Sequence, residues 1–313
     1  MTKDFLYKAK SVVIGSAVAD ALGVPVEFSS RAELMLNPVR DMMGYGTFRV
    51  PAGSWSDDTS MALCALDVIA KEKQIDYSHI MDNFCKWYYE GEFTPEGVTF
   101  DAGNTCVEAI LNYKSSGVPP TLCGPRDEYS NGNGSLMRIH PFVLYGVHMG
   151  YGEEQMTELV KNASDLTHGH ERTELACLIY TCILEELLRK PSEKSIAKGL
   201  KTAKLRFESH SEFSHYARIF EADFAKTPVS DIRSGGYVVE TLEAAIWCLL
   251  NTNTYEECAL LAVNLGKDTD TTAAVAGALA GALYGYDAIP TGWKNTLLKR
   301  EYIEELCALA FNK

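Results

Sequence analysis

Positive charge is scarce in this sequence. Lysine and arginine number 29 against 42 aspartates and glutamates, which gives a formal net charge of −13 and a pI of about 5.0. Proteins that bind nucleic acid or an anionic membrane by neutralising phosphates carry the opposite balance. The composition therefore argues against sequence-specific nucleic acid and against a membrane surface as partners.

Clustered cysteines and long hydrophobic runs are also missing. The nine cysteines include no C-x-x-C pair, and most lie in apolar helical stretches, such as Cys64 within residues 61–66. This pattern indicates buried, reduced thiols, which are typical of the cytoplasm. The first ten residues contain no apolar segment of the signal-peptide type, and no uninterrupted apolar run reaches roughly 18 residues. We therefore expect a cytoplasmic protein without a membrane-spanning segment.

Alternating strand patterns are absent, and helical periodicity dominates the chain. No linker, charge block or low-complexity segment divides the sequence, so we predict a single all-α domain over residues 1–313. Two predicted helices, over 5–23 and over about 271–285, carry a small residue at every fourth position, which leaves one face of each nearly bare. We expect these faces to pack against each other. The small residues are Gly15, Ala19 and Gly23 in the first helix and Gly277, Gly281 and Gly285 in the second.

Acidic and hydroxyl residues cluster at the predicted beginnings of several helices. Ser56-Asp57-Asp58 precedes an apolar helix, and Asp268-Thr269-Asp270-Thr271 precedes the glycine-rich one, with Thr269 or Asp270 as its expected N-cap. Asp101 precedes a further helix, and Glu27 follows the first one. Each cluster alone is typical of a helix cap. Two such clusters before helices that must be buried favour a site for hard divalent cations, which prefer oxygen ligands.

A loop rich in glycine and asparagine, residues 131–138, has the composition of an anion-binding turn. Its backbone N–H groups are expected to face a ligand at the start of a helix. The loop is not a Walker motif, since no Gly-Lys-Ser or Gly-Lys-Thr follows, and it is not a dinucleotide-binding turn, since no strand precedes it.

Five motifs, in this order, resemble the ADP-ribosylglycohydrolase family over roughly residues 10–287. The resemblance implies an all-α orthogonal helical bundle with a dinuclear metal cleft that holds two Mg²⁺ or Mn²⁺ ions. It also implies hydrolysis of the glycosidic bond between ADP-ribose and an acceptor, with an ADP-ribosylated protein or a small ADP-ribose conjugate as partner. The motifs are residues 15–27 (GSAVADALGVPVE), 56–61 (SDDTSM), 131–138 (NGNGSLMR), 166–170 (LTHGH) and 264–273 (NLGKDTDTTA).

Site residues follow from the resemblance, position by position. The implied metal ligands are Ser56, Asp57, Asp58, Asp268, Asp270 and Thr271. The implied substrate-binding residues are Asp101, Gly103, Asn104, Asn131, Gly132, Asn133, Gly134, Ser135, Met137, His168, Ser234, Gly236 and Tyr237. The candidates for catalysis are Asp58, Asp101 and Glu27, with Asp101 as a general acid/base or as the group that orients a guanidinium leaving group.

The sequence leaves several alternatives open. ADP-ribosylated arginine is the expected substrate, while serine-linked ADP-ribose, O-acetyl-ADP-ribose and nucleobase conjugates are alternatives. A non-catalytic ADP-ribose-binding relative is a further alternative, although all six implied metal ligands are present. Lys267 departs from the family pattern, which usually has a second glycine there, and its side chain either points outward or touches the acceptor. We expect a monomer.

Overall fold

The computed structural model describes the backbone of residues 2–312 and the side chains of residues 4–312. Within this range the chain forms fourteen α-helices and six short 3₁₀ segments but no β-strand, which confirms the predicted all-α fold. Helices α1 to α14 span, in order, Thr2–Gly23, Arg31–Leu36, Asp57–Glu72, Tyr77–Glu90, Asn104–Ser116, His140–Met149, Glu153–Asp165, Glu171–Arg189, Glu193–Phe207, Val238–Leu250, Tyr255–Val263, Thr269–Tyr284, Thr291–Thr296 and Arg300–Phe311. The 3₁₀ segments are Val24–Val26, Pro120–Leu122, Ser211–Phe220, Phe224–Lys226, Val229–Asp231 and Tyr286–Ala288.

Helices α1 and α12 pack face to face in the centre of the bundle. A Cβ atom added to Gly277 would lie 2.4 Å from the Cβ of Ala19, and one added to Gly281 would lie 2.0 Å from the carbonyl oxygen of Ser11. The two backbones approach so closely that only glycine fits at these positions. The predicted contact between the small-residue faces is confirmed, and it brings the C-terminal end of α1 against the N-terminal end of α12.

Helix α1 is strongly hydrophobic. The segment Asp4–Val26 is long and apolar enough to cross a membrane by length and composition, although it contains no uninterrupted apolar run of about 18 residues. In the folded chain, 89% of its most apolar window is buried inside the protein. Such burial is what a core helix requires, and α1 lies at the centre of the hydrophobic core.

Local signals placed most helices correctly and missed some boundaries. Residues 29–55, which contain several glycines and prolines, include the short helix α2, whose N-cap Ser30 forms a capping box with Glu33. Helix α5 begins after Gly103, so Thr105, which with Glu108 has the spacing of a capping box, lies within its first turn and is not its cap. The loop at 131–138 leads through turns into α6, which begins only at His140.

The cysteines behave as the composition indicated. None of the nine is paired in a disulfide within the described residues, and all except the half-buried Cys85 are buried. Burial raises the pKa of the thiols, as at Cys106, where it reaches about 12. These side chains therefore act as small hydrophobic groups.

Candidate metal and substrate site

The beginning of α3 is held by an aspartate from the central helix. Asp20 of α1, which is fully buried, accepts hydrogen bonds from the backbone N–H of Ser56 (3.0 Å), from that of Thr59 (3.1 Å) and from the Thr59 hydroxyl (2.5 Å). Ser56 is the N-cap of α3, and its hydroxyl donates to Asp58 Oδ2 at 2.9 Å. The sequence analysis did not assign Asp20 to the site, although a carboxylate inside an otherwise apolar core helix was the available signal.

The beginning of α12 does not have the cap that the sequence suggested. Asp268, and neither Thr269 nor Asp270, occupies the N-cap position, and its side chain makes no capping hydrogen bond within the described residues. The Asp268 carboxylate instead accepts a hydrogen bond of 2.9 Å from the amide of Asn133 in the glycine-rich loop. Thr269 donates to the carbonyl oxygen of Gly23, which ties α12 to the end of α1. The Asp268 side chain is therefore turned toward the site.

Two groups of carboxylates meet between these helix ends. One group comprises Asp20, Asp58 and Asp270, and the other comprises Glu27, Asp268 and Asp270; within each group the facing oxygens lie within 4.8 Å of one another. Among the described residues, one buried oxygen of each of Glu27, Asp58, Asp268 and Asp270 has no hydrogen-bond partner. Buried anionic oxygens without a partner are costly unless a cation compensates them. This donor set fits hard divalent cations.

Burial and mutual repulsion raise the pKa values of these carboxyls. Burial, followed by the charges of Asp101, Asp268 and Asp57, raises the pKa of Glu27 to about 9. Burial, followed by the charge of Asp268, raises the pKa of Asp101 to about 6. Burial and neighbouring carboxylates raise the pKa of Asp58 well above its usual range. Cations between these groups would favour their charged forms and reverse these shifts.

A cavity of about 300 Å³ opens beside the carboxylates. It collects thirteen of the residues that the resemblance implied, namely Glu27, Asp57, Asp101, Gly103, Asn104, Gly132, Asn133, Gly134, Met137, His168, Gly236, Asp268 and Thr271. Thr105 and Cys106 also line it and were missed, although they directly follow Asn104 in the sequence. The lining therefore has an acidic wall and a wall of glycines with His168, and the two meet where Asn133 bonds to Asp268.

Several implied residues lie outside the lining of this cavity. Asp58 and Asp270 are buried behind it, with Ser56. Four others stabilise the loops around it through hydrogen bonds. The carbonyl of Asn131 accepts from the N–H of Val238, and the Ser135 hydroxyl accepts from the Ser164 hydroxyl. The Ser234 hydroxyl donates to the carbonyl of Gly266, and Tyr237 forms an isolated β-bridge with Gly132.

The glycines of residues 132–134 let the backbone approach His168. A Cβ added to Gly134 would lie 2.8 Å from the Cε1 of this histidine, and one added to Gly132 would lie 3.3 Å from its Nε2. The Thr167 hydroxyl accepts a hydrogen bond of 2.7 Å from Arg138 and lies 2.8 Å from His168 Nδ1. Burial and the charge of Arg138 lower the pKa of His168 to about 3. The ring is therefore neutral at pH 7, and its Nε2 faces the glycine loop.

Backbone strain is concentrated beside the site. Phe28, Asp101 and Lys267 have positive φ angles of 66°, 51° and 66°, in the left-handed region that favours glycine. The N–H of Phe28 donates to the carbonyl of Lys267, and the N–H of Lys267 donates to the carbonyl of Ser29, each at 2.7 Å. The Lys267 side chain is exposed.

Comparisons with known proteins agree with this geometry. A family model described as ADP-ribosylglycohydrolase matches residues 1–313. ADP-ribosylarginine hydrolase Tri1 of Pseudomonas putida (strain GB-1) is 34% identical, covering 98% of this chain and 79% of that protein. The ADP-ribosyl-[dinitrogen reductase] glycohydrolase of Rhodospirillum rubrum is 31% identical, and the match covers 96% of this chain and 95% of that protein. A solved structure described as an ADP-ribosylglycohydrolase-related protein complex superimposes with a TM-score of 0.81 at 32% identity, covering 99% of this chain and 98% of that one.

Proposed function

Because the chain belongs to the ADP-ribosylglycohydrolase family, whose members are hydrolytic enzymes, we propose that it releases ADP-ribose from ADP-ribosylated arginine on protein. The observation that carries the proposal is the polarity of the cavity. Its acidic wall suits a positively charged guanidinium, and its glycine wall suits an anionic diphosphate. Relatives named as ADP-ribosylarginine hydrolases support the same substrate class.

Two Mg²⁺ or Mn²⁺ ions are part of the proposal. The unpartnered carboxylate oxygens between α3 and α12 support a cation site there. When bound, such ions supply charge neutralisation and an acidified water as nucleophile. The residues that would hold them are Ser56, Asp57, Asp58, Asp268, Asp270 and Thr271.

Asp101 is proposed to act on the leaving group. Its carboxyl lines the cavity, where a carboxyl can accept or donate a proton during bond cleavage. In its charged form it can pair with the guanidinium, and in its protonated form it can donate a proton to the departing nitrogen. Glu27, on the same wall, contributes negative charge opposite the developing oxocarbenium ion.

The glycine wall is proposed to bind the ADP-ribose. The His168 ring faces residues 132–134, and these glycines leave room for backbone contact with phosphate oxygens. The amide of Asn133 bonds to both Asp268 and Thr241, so the loop that contacts the substrate is joined to the proposed metal ligands. Substrate and cations would therefore be positioned by one connected set of hydrogen bonds.

The cellular setting is a further part of the proposal. Free, largely buried cysteines support a reducing, cytoplasmic compartment. We also propose that the enzyme works as a monomer, because the acidic cluster and the cavity are built from residues of one chain.

One experiment tests the substrate and the metal together. The purified protein is incubated with arginine-, serine- and nucleobase-linked ADP-ribose and with O-acetyl-ADP-ribose, with Mg²⁺, with Mn²⁺ or with a chelator, and the released ADP-ribose is measured. We expect release from the arginine conjugate only when a divalent cation is present. Release from another conjugate alone would replace the proposed substrate, and full activity with chelator would exclude the proposed metal site.

A further inference from the structure

Three phenylalanines from three separate loops form a row beside the cavity. The ring centroids of Phe28 and Phe48 lie 6.2 Å apart in an edge-to-face arrangement, and those of Phe48 and Phe100 lie 5.1 Å apart. We call these three residues the phenylalanine row. Phe28 directly follows Glu27, and Phe100 directly precedes Asp101, so the row adjoins both cavity-lining carboxylates proposed for catalysis.

The middle of the row is fastened to the backbone of the first carboxylate. Thr47, the residue before Phe48, donates from its hydroxyl to the carbonyl of Glu27 at 2.8 Å and from its N–H to the carbonyl of Pro25 at 2.9 Å. Gly46 lies so close that an added Cβ would be 1.7 Å from the oxygen of Pro25. The loop that carries Phe48 is therefore held in one place relative to Glu27.

Phe28 is an unfavourable residue for the stability of the free protein. Its side chain is 68% exposed, so it gains little from the hydrophobic effect. Its φ of 66° lies in the left-handed region, which is unfavourable for a residue with a side chain. An exposed aromatic side chain on strained backbone beside a cavity indicates a binding role.

The polarity of the cavity indicates which part of a conjugate would lie nearest to the row, whose chain neighbours Glu27 and Asp101 line the cavity. The glycine wall with His168 suits the anionic part of an ADP-ribosyl conjugate, which leaves the acidic wall for the part with positive charge. For an arginine conjugate that part is the guanidinium with its methylene chain and the polypeptide to which it is attached. A guanidinium stacks on aromatic faces, and the methylene chain packs on them.

We propose that the phenylalanine row is the acceptor-binding surface of the enzyme. Its rings contact the guanidinium and methylene groups of the modified arginine while Glu27 and Asp101 supply the opposite charge. The row then favours arginine conjugates over those of uncharged acceptors such as serine. This inference rests on the proposed arginine hydrolase activity and assigns the specificity of that activity to three residues outside the proposed metal ligands.

The test uses Phe28→Ala and Phe48→Ala, with Phe48→Tyr and Phe48→Leu as comparisons for position 48 and Tyr89→Ala as a control. Tyr89 is another exposed aromatic residue, on α4, outside the phenylalanine row. Each protein is assayed on an ADP-ribosylarginine peptide, and free ADP-ribose is measured as an inhibitor. We expect the KM for the arginine peptide to rise about tenfold in the alanine variants, with kcat within about twofold and inhibition by ADP-ribose unchanged.

Phe48→Tyr should restore the KM, and Phe48→Leu should restore it only in part, because leucine keeps the apolar area without the aromatic face. Three results would overturn the inference: an unchanged KM in both alanine variants, an equal weakening of ADP-ribose inhibition, or a loss of kcat at constant KM. The last would mean that the row only positions the catalytic loops. If the proposed function itself is wrong, the unmodified enzyme will be inactive on arginine conjugates, which distinguishes that outcome from a failure of the inference about the row. An enzyme active on serine conjugates alone would overturn both.

Discussion

Thr271 Oγ1, in the first turn of α12, donates a hydrogen bond of 3.2 Å to Asp58 Oδ2, in the first turn of α3, although 213 residues separate the two in the chain. This bond joins the two acidic helix ends directly. The Ser56 hydroxyl donates to the same oxygen, so Asp58 Oδ1 remains buried without a partner among the described residues. The carboxylate is thus held by one oxygen and has the other available for a cation.

Replacement of Asp58 by asparagine should abolish metal binding without unfolding the protein. The change removes one buried negative charge, so the metal-free variant should be at least as stable as the unmodified protein, while kcat should fall by at least about 100-fold. Thermal unfolding with and without millimolar Mg²⁺ measures the first effect. The free energy of unfolding of the unmodified protein should rise by about 2.7 kcal/mol at a Mg²⁺ concentration 100 times the Kd. Asp127→Asn, at an exposed position outside the site, is the control. An Asp58→Asn protein with an undiminished Mg²⁺ shift would contradict the assignment.

Removal of the Asp20 carboxylate should destabilise the beginning of α3. Asp20→Ala leaves the N–H groups of Ser56 and Thr59 buried without their acceptor, at a cost of about 3 kcal/mol in unfolding free energy. Thr59→Val removes only the hydroxyl bond and should cost about 1 kcal/mol. Urea denaturation at pH 7 measures both. Equal losses in the two variants would mean that the backbone contacts of Asp20 contribute nothing.

An alanine at Gly281 should disrupt the contact between α1 and α12. The added methyl group would lie 2.0 Å from the oxygen of Ser11, so the two central helices must separate, which should cost about 3 kcal/mol. Because α12 carries Asp270 on its first turn, the Mg²⁺ affinity should fall as well. Gly292→Ala in α13 is the matched control, since an added Cβ there meets nothing within 4 Å. That variant should be as stable as the unmodified protein or slightly more stable. Equal stability of the two variants would argue against the close packing.

His140 should make the protein less stable in acid. Its side chain is buried, and burial lowers its pKa to about 3, against about 6.5 in the unfolded chain. Since the folded pKa is the lower one, the unfolded state takes up a proton first as the pH falls below 6.5, and stability is lost there. Between pH 7 and pH 5 this loss is about 2 kcal/mol, and His140→Phe should not show it. Urea denaturation of both proteins at the two pH values measures the difference.

A second histidine provides a control of opposite sign. Hydrogen bonding to Glu72, with the charge of Asp76, raises the pKa of the exposed His79. Its contribution to stability is present below the unfolded pKa and is lost as the pH rises through the folded pKa. His79→Asn should therefore lose stability mainly at acid pH. If the His140 and His79 variants changed in the same direction, the burial argument for His140 would be wrong.

Local patterns were sufficient to predict most of the fold. Residues 238–250 have helical periodicity and form α10, and Thr254, which with Glu257 has the spacing of a capping box, caps α11. The small-residue faces of α1 and α12 predicted their contact, because a face without side chains can only be buried against another backbone. These features depend on residues close in sequence, whose spacing a helix converts directly into a surface.

The sequence by itself determined an all-α protein of this family, with acidic residues before α3 and α12 and a glycine-rich loop. Only the tertiary structure decided how these parts meet. In the folded chain Asp268 is the N-cap of α12, and its carboxylate accepts a hydrogen bond from Asn133. Asp20 accepts a hydrogen bond from the backbone N–H of Ser56. The rings of Phe28, Phe48 and Phe100 lie in contact with one another in a row. The physical reason is that a carboxylate at a helix end can cap the helix, face solvent or face another carboxylate at similar local cost. The choice is made by groups from distant segments of the chain, brought there by the packing of α1 against α12.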